Sequence, residues 1–208
     1  MVSIMSDNKS SYFVPAETIT VVQEIKRSRF IATVGRAVCK KMANEFIGRI
    51  RGLYPDARHH CYAFVAGCPA NTADIGMSDD GEPHGTAGKP MLSLLQYSEI
   101  GEIAAVVTRY FGGTKLGTGG LVRAYSSSVQ LALQKIKLKE FVKLKTVQVS
   151  FPYPHESAMR YLFEKMKVDI NKTDYTHNVI MSIEFPEKIY DELLLEIKNQ
   201  TRGEAEIF

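Results

Sequence analysis

Residues 107 to 123 read VTRYFGGTKLGTGGLVR, and they gather the groups best suited to holding an anion. Five glycines, Gly112, Gly113, Gly117, Gly119 and Gly120, fall within nine positions and are flanked by Arg109, Lys115 and Arg123. Glycine adopts positive φ at little cost and has no side chain to cover its N–H, so several amides can converge on one point. A following helix would add its unpaired N-terminal N–H groups and the positive end of its dipole. Lysine supplies a point charge and arginine a planar fork of donors, both suited to phosphate oxygens. The chemistry expected is capture of a phosphate or an RNA backbone. The competing reading is that these glycines only permit a tight crossover and close packing of helix on sheet. No nucleotide fingerprint is present: GGTKLGTGG departs from G-x-G-x-x-G, and GTAGKP, which ends like a Walker motif, has Pro90 where a magnesium-binding hydroxyl belongs.

A second cluster, SDDGEPHGTAGKP, brings Asp79, Asp80, Glu82 and His84 close together, with His59 and His60 some twenty residues earlier. Carboxylates and imidazoles are the ligand types of hydrolytic metal centres. The spacing matches neither H-E-x-x-H nor an EF-hand loop, and it equally suits a structured turn in which Asp caps backbone amides. A third reading makes the segment a charged surface for a protein partner, with Asp79, Asp80, Glu82 and Lys89 as contacts. No G-x-S-x-G elbow occurs. The three cysteines, Cys39, Cys61 and Cys68, lack C-x-x-C spacing and signal neither a disulfide framework nor zinc. No catalytic residue, metal or cofactor is assigned.

These clusters need elements to hold them. GEIAAVVTRYF reads as a central strand that runs straight into the glycines, and Leu121, Tyr125, Val129, Ala132 and Ile136 form one stripe of a following helix. Upstream, ETITVVQEI and SRFIATVGRAV read as a hairpin across the charged KRS turn. A helix from Cys39 to Tyr54 and a buried strand HCYAFVAG come next. Residues 68 to 90 are expected as a long irregular loop, then PMLSLLQYS as a short helix. From Glu140 onward, FVKLKTVQVSF (a single strand), a helix, a hairpin, a helix and GEAEIF give the order βαββαβ of a ferredoxin-like unit. The expected fold class is therefore α+β, with domains at 12–139 and 140–208.

With 45% hydrophobic and 24% charged residues, the 208-residue chain has the composition of a folded globular protein. No apolar run reaches the roughly 20 residues of a membrane span, and the start does not read as a secretory signal, so a cytoplasmic location is expected. The net charge of +3 is uneven. Residues 1–139 hold 17 Lys and Arg against 11 Asp and Glu, whereas 140–208 hold 9 against 12. The basic excess permits an anionic partner but falls short of a dedicated nucleic-acid arm, and no DNA specificity is signalled.

The segments DARHHCYAFVAG, SDDGEPHGTAGKPML and EIAAVVTRYFGGTKLGTGGLVRAY resemble the YigZ/IMPACT family. The resemblance implies an N-terminal IMPACT-type domain with the α+β fold of the second domain of a small-subunit ribosomal protein. It also implies a smaller C-terminal domain like the ferredoxin-like domain of elongation factor G. Eukaryotic relatives restrain a starvation-sensing kinase by competing for its activator; that role is not carried over, because no RWD domain is recognised here. The leading expectation is a non-enzymatic binding protein linked to translation, touching RNA or the ribosome through the glycine loop. The alternatives are a protein-interaction module and a metal-dependent hydrolase built on the acidic loop.

Overall fold

A computed structural model describes residues 11–69 and 73–208. The chain divides into two compact units, Met1–Phe141 and Val142–Phe208. The first unit is built on a five-stranded antiparallel sheet in the order β2-β3-β6-β4-β5, with β2 at Ile19–Ile25, β3 at Ser28–Arg36, β4 at His59–Val65, β5 at Ile75–Ser78 and β6 at Ile103–Tyr110. β6 is central and buried along nearly its whole length, which explains its almost unbroken apolar sequence. Alternate β6 residues face opposite layers. Ile103, Ala105 and Val107 pack with α2 (Gly88–Tyr97) and α3 (Thr118–Lys135), while Ala104 and Val106 pack with α1 (Lys40–Leu53). The α3 stripe expected from the sequence is the buried one, including Leu121, Tyr125, Val129 and Ala132. No helix among the described residues is long and apolar enough to cross a membrane.

Three readings of the elements need correction. The segment expected to be irregular contains β5, an edge strand whose IGMS sequence has little strand propensity; it forms because β4 offers a free edge. Gly76 lets β5 lie flat on the Phe64 ring, which a Cβ would strike. A short strand β1, Ser11–Pro15, pairs with β7, Leu138–Val142, some 120 residues away. The continuous strand expected from Phe141 to Phe151 is in fact the end of β7 followed by β8 (Leu144–Phe151).

The second unit has the order β8, α4 (Glu156–Met166), β9 (Asp169–Tyr175), β10 (Val179–Pro186), α5 (Tyr190–Gln200), β11 (Glu206–Ile207). Its antiparallel sheet runs β11-β8-β10-β9, the strand arrangement of a ferredoxin-like domain. Phe151, Phe163, Phe185, Met159 and Leu193 fill the core between the sheet and the two helices. The fold class is α+β, as expected.

Two glycine substitutions separate packing from conformational freedom in the loop after β6. A Cβ at Gly112 would overlap the Arg27 carbonyl, whereas one at Gly119 meets open space. Gly112→Ala should lower unfolding stability by about 3 kcal/mol in urea titration. Gly119→Ala should be neutral or raise it by up to about 1 kcal/mol.

Candidate functional site: a basic loop pair at the start of helix α3

The β3–β6 register sets Arg29 opposite Tyr110 and Phe30 opposite Arg109, so the β2–β3 turn lies beside the exit of β6. Gly112 packs there on the Arg27 backbone, and its N–H donates to Ser28 Oγ at 3.1 Å. Gly113 (φ 85°) and Gly117 (φ 71°) take left-handed conformations that L side chains rarely adopt. The first intrahelical bond of α3 runs from Leu121 N–H to the Gly117 carbonyl at 2.9 Å, and no side chain caps this end. The amides of Thr118, Gly119 and Gly120 precede that bond and form the uncapped first turn. The five glycines thus divide. Gly112 and Gly120 serve packing, the latter against Leu116, while Gly113, Gly117 and Gly119 have no neighbour where a side chain would stand.

Arg109 is not the exposed ligand its position suggested. It is only 6% exposed, and its Nη1 donates to Glu82 Oε1 at 2.6 Å. The same oxygen accepts the Tyr125 hydroxyl at 2.9 Å. Burial, then the neighbouring Cys61 thiol and Glu82, push the Tyr125 hydroxyl far above its ordinary range, so it acts as a donor. The Arg109 guanidinium also lies 5.5 Å from the Phe30 ring centre and 5.6 Å from that of Phe111. Its Nε–H has no acceptor among the described residues.

The acidic segment is internal scaffolding. Asp79 accepts the backbone N–H groups of Gly85, Ala87 and Gly88 at 2.8 to 2.9 Å and so caps α2 from nine residues upstream. Burial alone would raise its pKa, but the three amides outweigh it and hold the carboxyl below its ordinary value. Asp80 accepts His60 N–H and the Arg51 guanidinium, each at 2.7 Å, and its carbonyl lies 2.9 Å from His59 Nδ1. His60 Nε2 is 3.0 Å from the Tyr54 carbonyl. Cys61 donates to the Asp79 carbonyl, and burial pushes its thiol up to about 12. Of the partner contacts expected here, Asp79 and Asp80 are part-buried, Glu82 is buried, and only Lys89 is exposed. Among the described residues no group of three or more His, Cys, Asp or Glu converges as metal ligands would.

Lys115 and Arg123 do project into solvent, and the structure brings to this end of α3 the two cations of the charged β2–β3 turn, Lys26 and Arg27, whereas Arg29, within β3, lies on the other face of the sheet with its guanidinium 4.5 Å from the Tyr110 ring centre. Lys26, Arg27, Lys115 and Arg123 are exposed, and none of the four makes an ion pair among the described residues. The KRSR run was visible in the sequence; its proximity to the glycines was not. Arg109, Phe111, Lys115, Leu116, Leu121 and Pro83 line a cleft of about 270 Å³. Arg123 and Lys26 line a second of about 240 Å³, and Leu116 borders both. A larger cleft of about 450 Å³ around Pro15, Arg36, Phe46 and Arg49 involves neither the glycine loop nor the β2–β3 turn; its size gives no reason to prefer it.

Two outcomes follow from this geometry. Arg109→Ala leaves the Glu82 carboxylate buried without its cation and should cost about 3–5 kcal/mol in chemical denaturation. Because Asp79 is depressed in the folded state, its stabilisation is full above the ordinary value of 3.8 and is lost as pH falls from there through the folded value. The gap in melting temperature between wild type and Asp79→Asn should therefore be widest at neutral pH and close below about pH 4.

Comparison with known proteins gives a consistent result. The Impact N-terminal domain matches residues 26–133, and a domain of unknown function, DUF1949, matches residues 149–204. The chain is 40% identical to the IMPACT family member YigZ of Escherichia coli (strain K12) over 95% of this chain and 97% of that one. It is 35% identical to the IMPACT family member YvyE of Bacillus subtilis (strain 168) over 91% and 88%. A solved structure, titled as the crystal structure of a hypothetical protein, superposes with a TM-score of 0.69 at 38% identity, covering 97% of this chain and 98% of its own. On full-length identity and on the domain match together, the chain belongs to the IMPACT family.

Proposed function

We propose that the protein is a non-enzymatic, cytoplasmic RNA-contacting protein linked to translation, and that it binds RNA or the ribosome through the basic lobe at the start of α3. The observation that carries this reading is the gathering of four exposed cations, Lys26 and Arg27 from the β2–β3 turn, Lys115 from the glycine loop and Arg123 from α3 itself, around an uncapped helix N-terminus. Backbone amides and unpaired guanidinium or ammonium groups in that arrangement suit successive phosphates. The link to translation draws only on what the family resemblance implies, domains like those of a ribosomal protein and an elongation factor.

The β2–β3 turn adds support of a different kind. Ile25 pairs with Ser28, so the loop has two residues, and both Lys26 (φ 48°) and Arg27 (φ 65°) are left-handed, as a type I′ turn requires. Asn-Gly fits such a turn with far less strain, since left-handed backbone costs other residues about 1–2 kcal/mol each. Two cations held at strained positions point to a use for their charge. The protein-interaction reading has less to draw on, because the carboxylates it would use are engaged internally. The hydrolase reading meets the same difficulty: His59 and His60 are hydrogen-bonded to backbone carbonyls.

Salt-titrated binding to a single-stranded RNA should show a log K against log salt slope that shrinks by about 0.7 for each phosphate contact removed. Lys115→Ala with Arg123→Ala should weaken binding and flatten that slope; unchanged binding would discard the proposal. Replacing the turn by Lys26→Asn with Arg27→Gly should raise stability by about 1 kcal/mol or more. The same change should lower RNA affinity, two opposite effects from one substitution pair.

A further inference from the structure

The glycine loop holds one residue that phosphate binding leaves unexplained. Phe111 is 55% exposed, although it directly follows a strand buried along its length. A large exposed aromatic beside the exposed Lys115 suits one kind of occupant better than a plain anion does. We infer that Phe111 and the cleft beneath it form a stacking slot for one unpaired base, so that the lobe selects single-stranded over duplex RNA. This inference rests on the proposed role of the lobe as an RNA surface and specifies which form of RNA it takes.

The walls of the cleft support that occupant. Phe111, Pro83, Leu116 and Leu121 supply apolar surface, and Lys115 and the start of α3 at Gly117 and Thr118 supply donors and charge at the same opening. A flat apolar face next to a cationic rim matches a nucleotide, which carries a π-face and a phosphate at fixed separation. The volume of about 270 Å³ lies near the lower end of small-molecule sites, consistent with one base rather than several. Arg109, which lines the cleft and is more than nine-tenths buried, backs the aromatic wall: its guanidinium lies 5.6 Å from the Phe111 ring centre. The Glu82 carboxylate in the wall is neutralised by Arg109 at 2.6 Å, so it does not repel a phosphate as a free acid would. In a duplex each base is already stacked within its own helix, and the slot would have nothing to receive.

The test compares a labelled 12-nucleotide single-stranded RNA of mixed sequence with a 12-base-pair RNA duplex, by anisotropy, on the full chain. Phe111→Leu keeps the cleft filled but removes the ring. It should weaken single-strand binding about tenfold. Duplex binding, the salt slope and the melting temperature should stay unchanged, and Phe111→Tyr should restore the single-strand affinity. A 2-aminopurine reporter in the single strand should change its emission on binding wild type and not on binding Phe111→Leu. Equal losses on both RNAs, or no loss on the single strand, would overturn the slot while leaving the lobe's RNA contact standing. If wild type binds neither RNA, the proposed function fails first and the slot with it.

Discussion

The buried contact among Glu82, Arg109 and Tyr125 is the constraint on which the site depends. Its three members come from three places: the acidic segment after β5, the end of β6, and the second turn of α3. A buried ion pair is weak as a source of net stability, because taking both charges out of water offsets most of their attraction. Its effect here is positional. One carboxylate oxygen can satisfy both donors only if the strand end and the helix start hold a fixed separation, and the glycine loop connects those two points. The acidic residues that looked like a separate centre are therefore the support of the candidate basic site.

The same arrangement explains what the sequence could and could not reveal. β6 and α3 were legible because burial imposes a pattern over eight residues or more: an unbroken apolar run in one, a stripe in the other. The βαββαβ order of the second unit was legible for the same reason. β5 and β1 were not, because edge strands are held by a neighbour's free hydrogen-bonding edge more than by their own propensity. The fate of Arg109 was hidden as well. Its partner lies 27 residues upstream, and a linear sequence gives no sign that an arginine at a strand end has turned inward. Lys26 and Arg27 read in the sequence as a charged turn, but only the β3–β6 register brings that turn to the glycines.

Within the basic lobe the rigid and yielding parts are distinct. Gly112 is locked between Ser28 Oγ and the Arg27 backbone, which ties the two loops to one another. Beyond it the chain from Gly113 to Gly119 has room around its backbone, apart from the anchor Leu116. The similarity to YigZ extends over nearly the whole of both chains, and the exposed cations and Phe111 are the features through which a ligand would be distinguished.

Leu116 lines both clefts, one holding Lys115 and Phe111 and the other holding Arg123 and Lys26. A single ion can occupy only one of them at a time, whereas a polymer draped over this side chain meets both. Under the proposed function, a strand that let go on one side would stay tethered by the other, at high effective concentration for rebinding. Residence of such a ligand would then depend on whether it is long enough to span both clefts as well as on the strength of each grip.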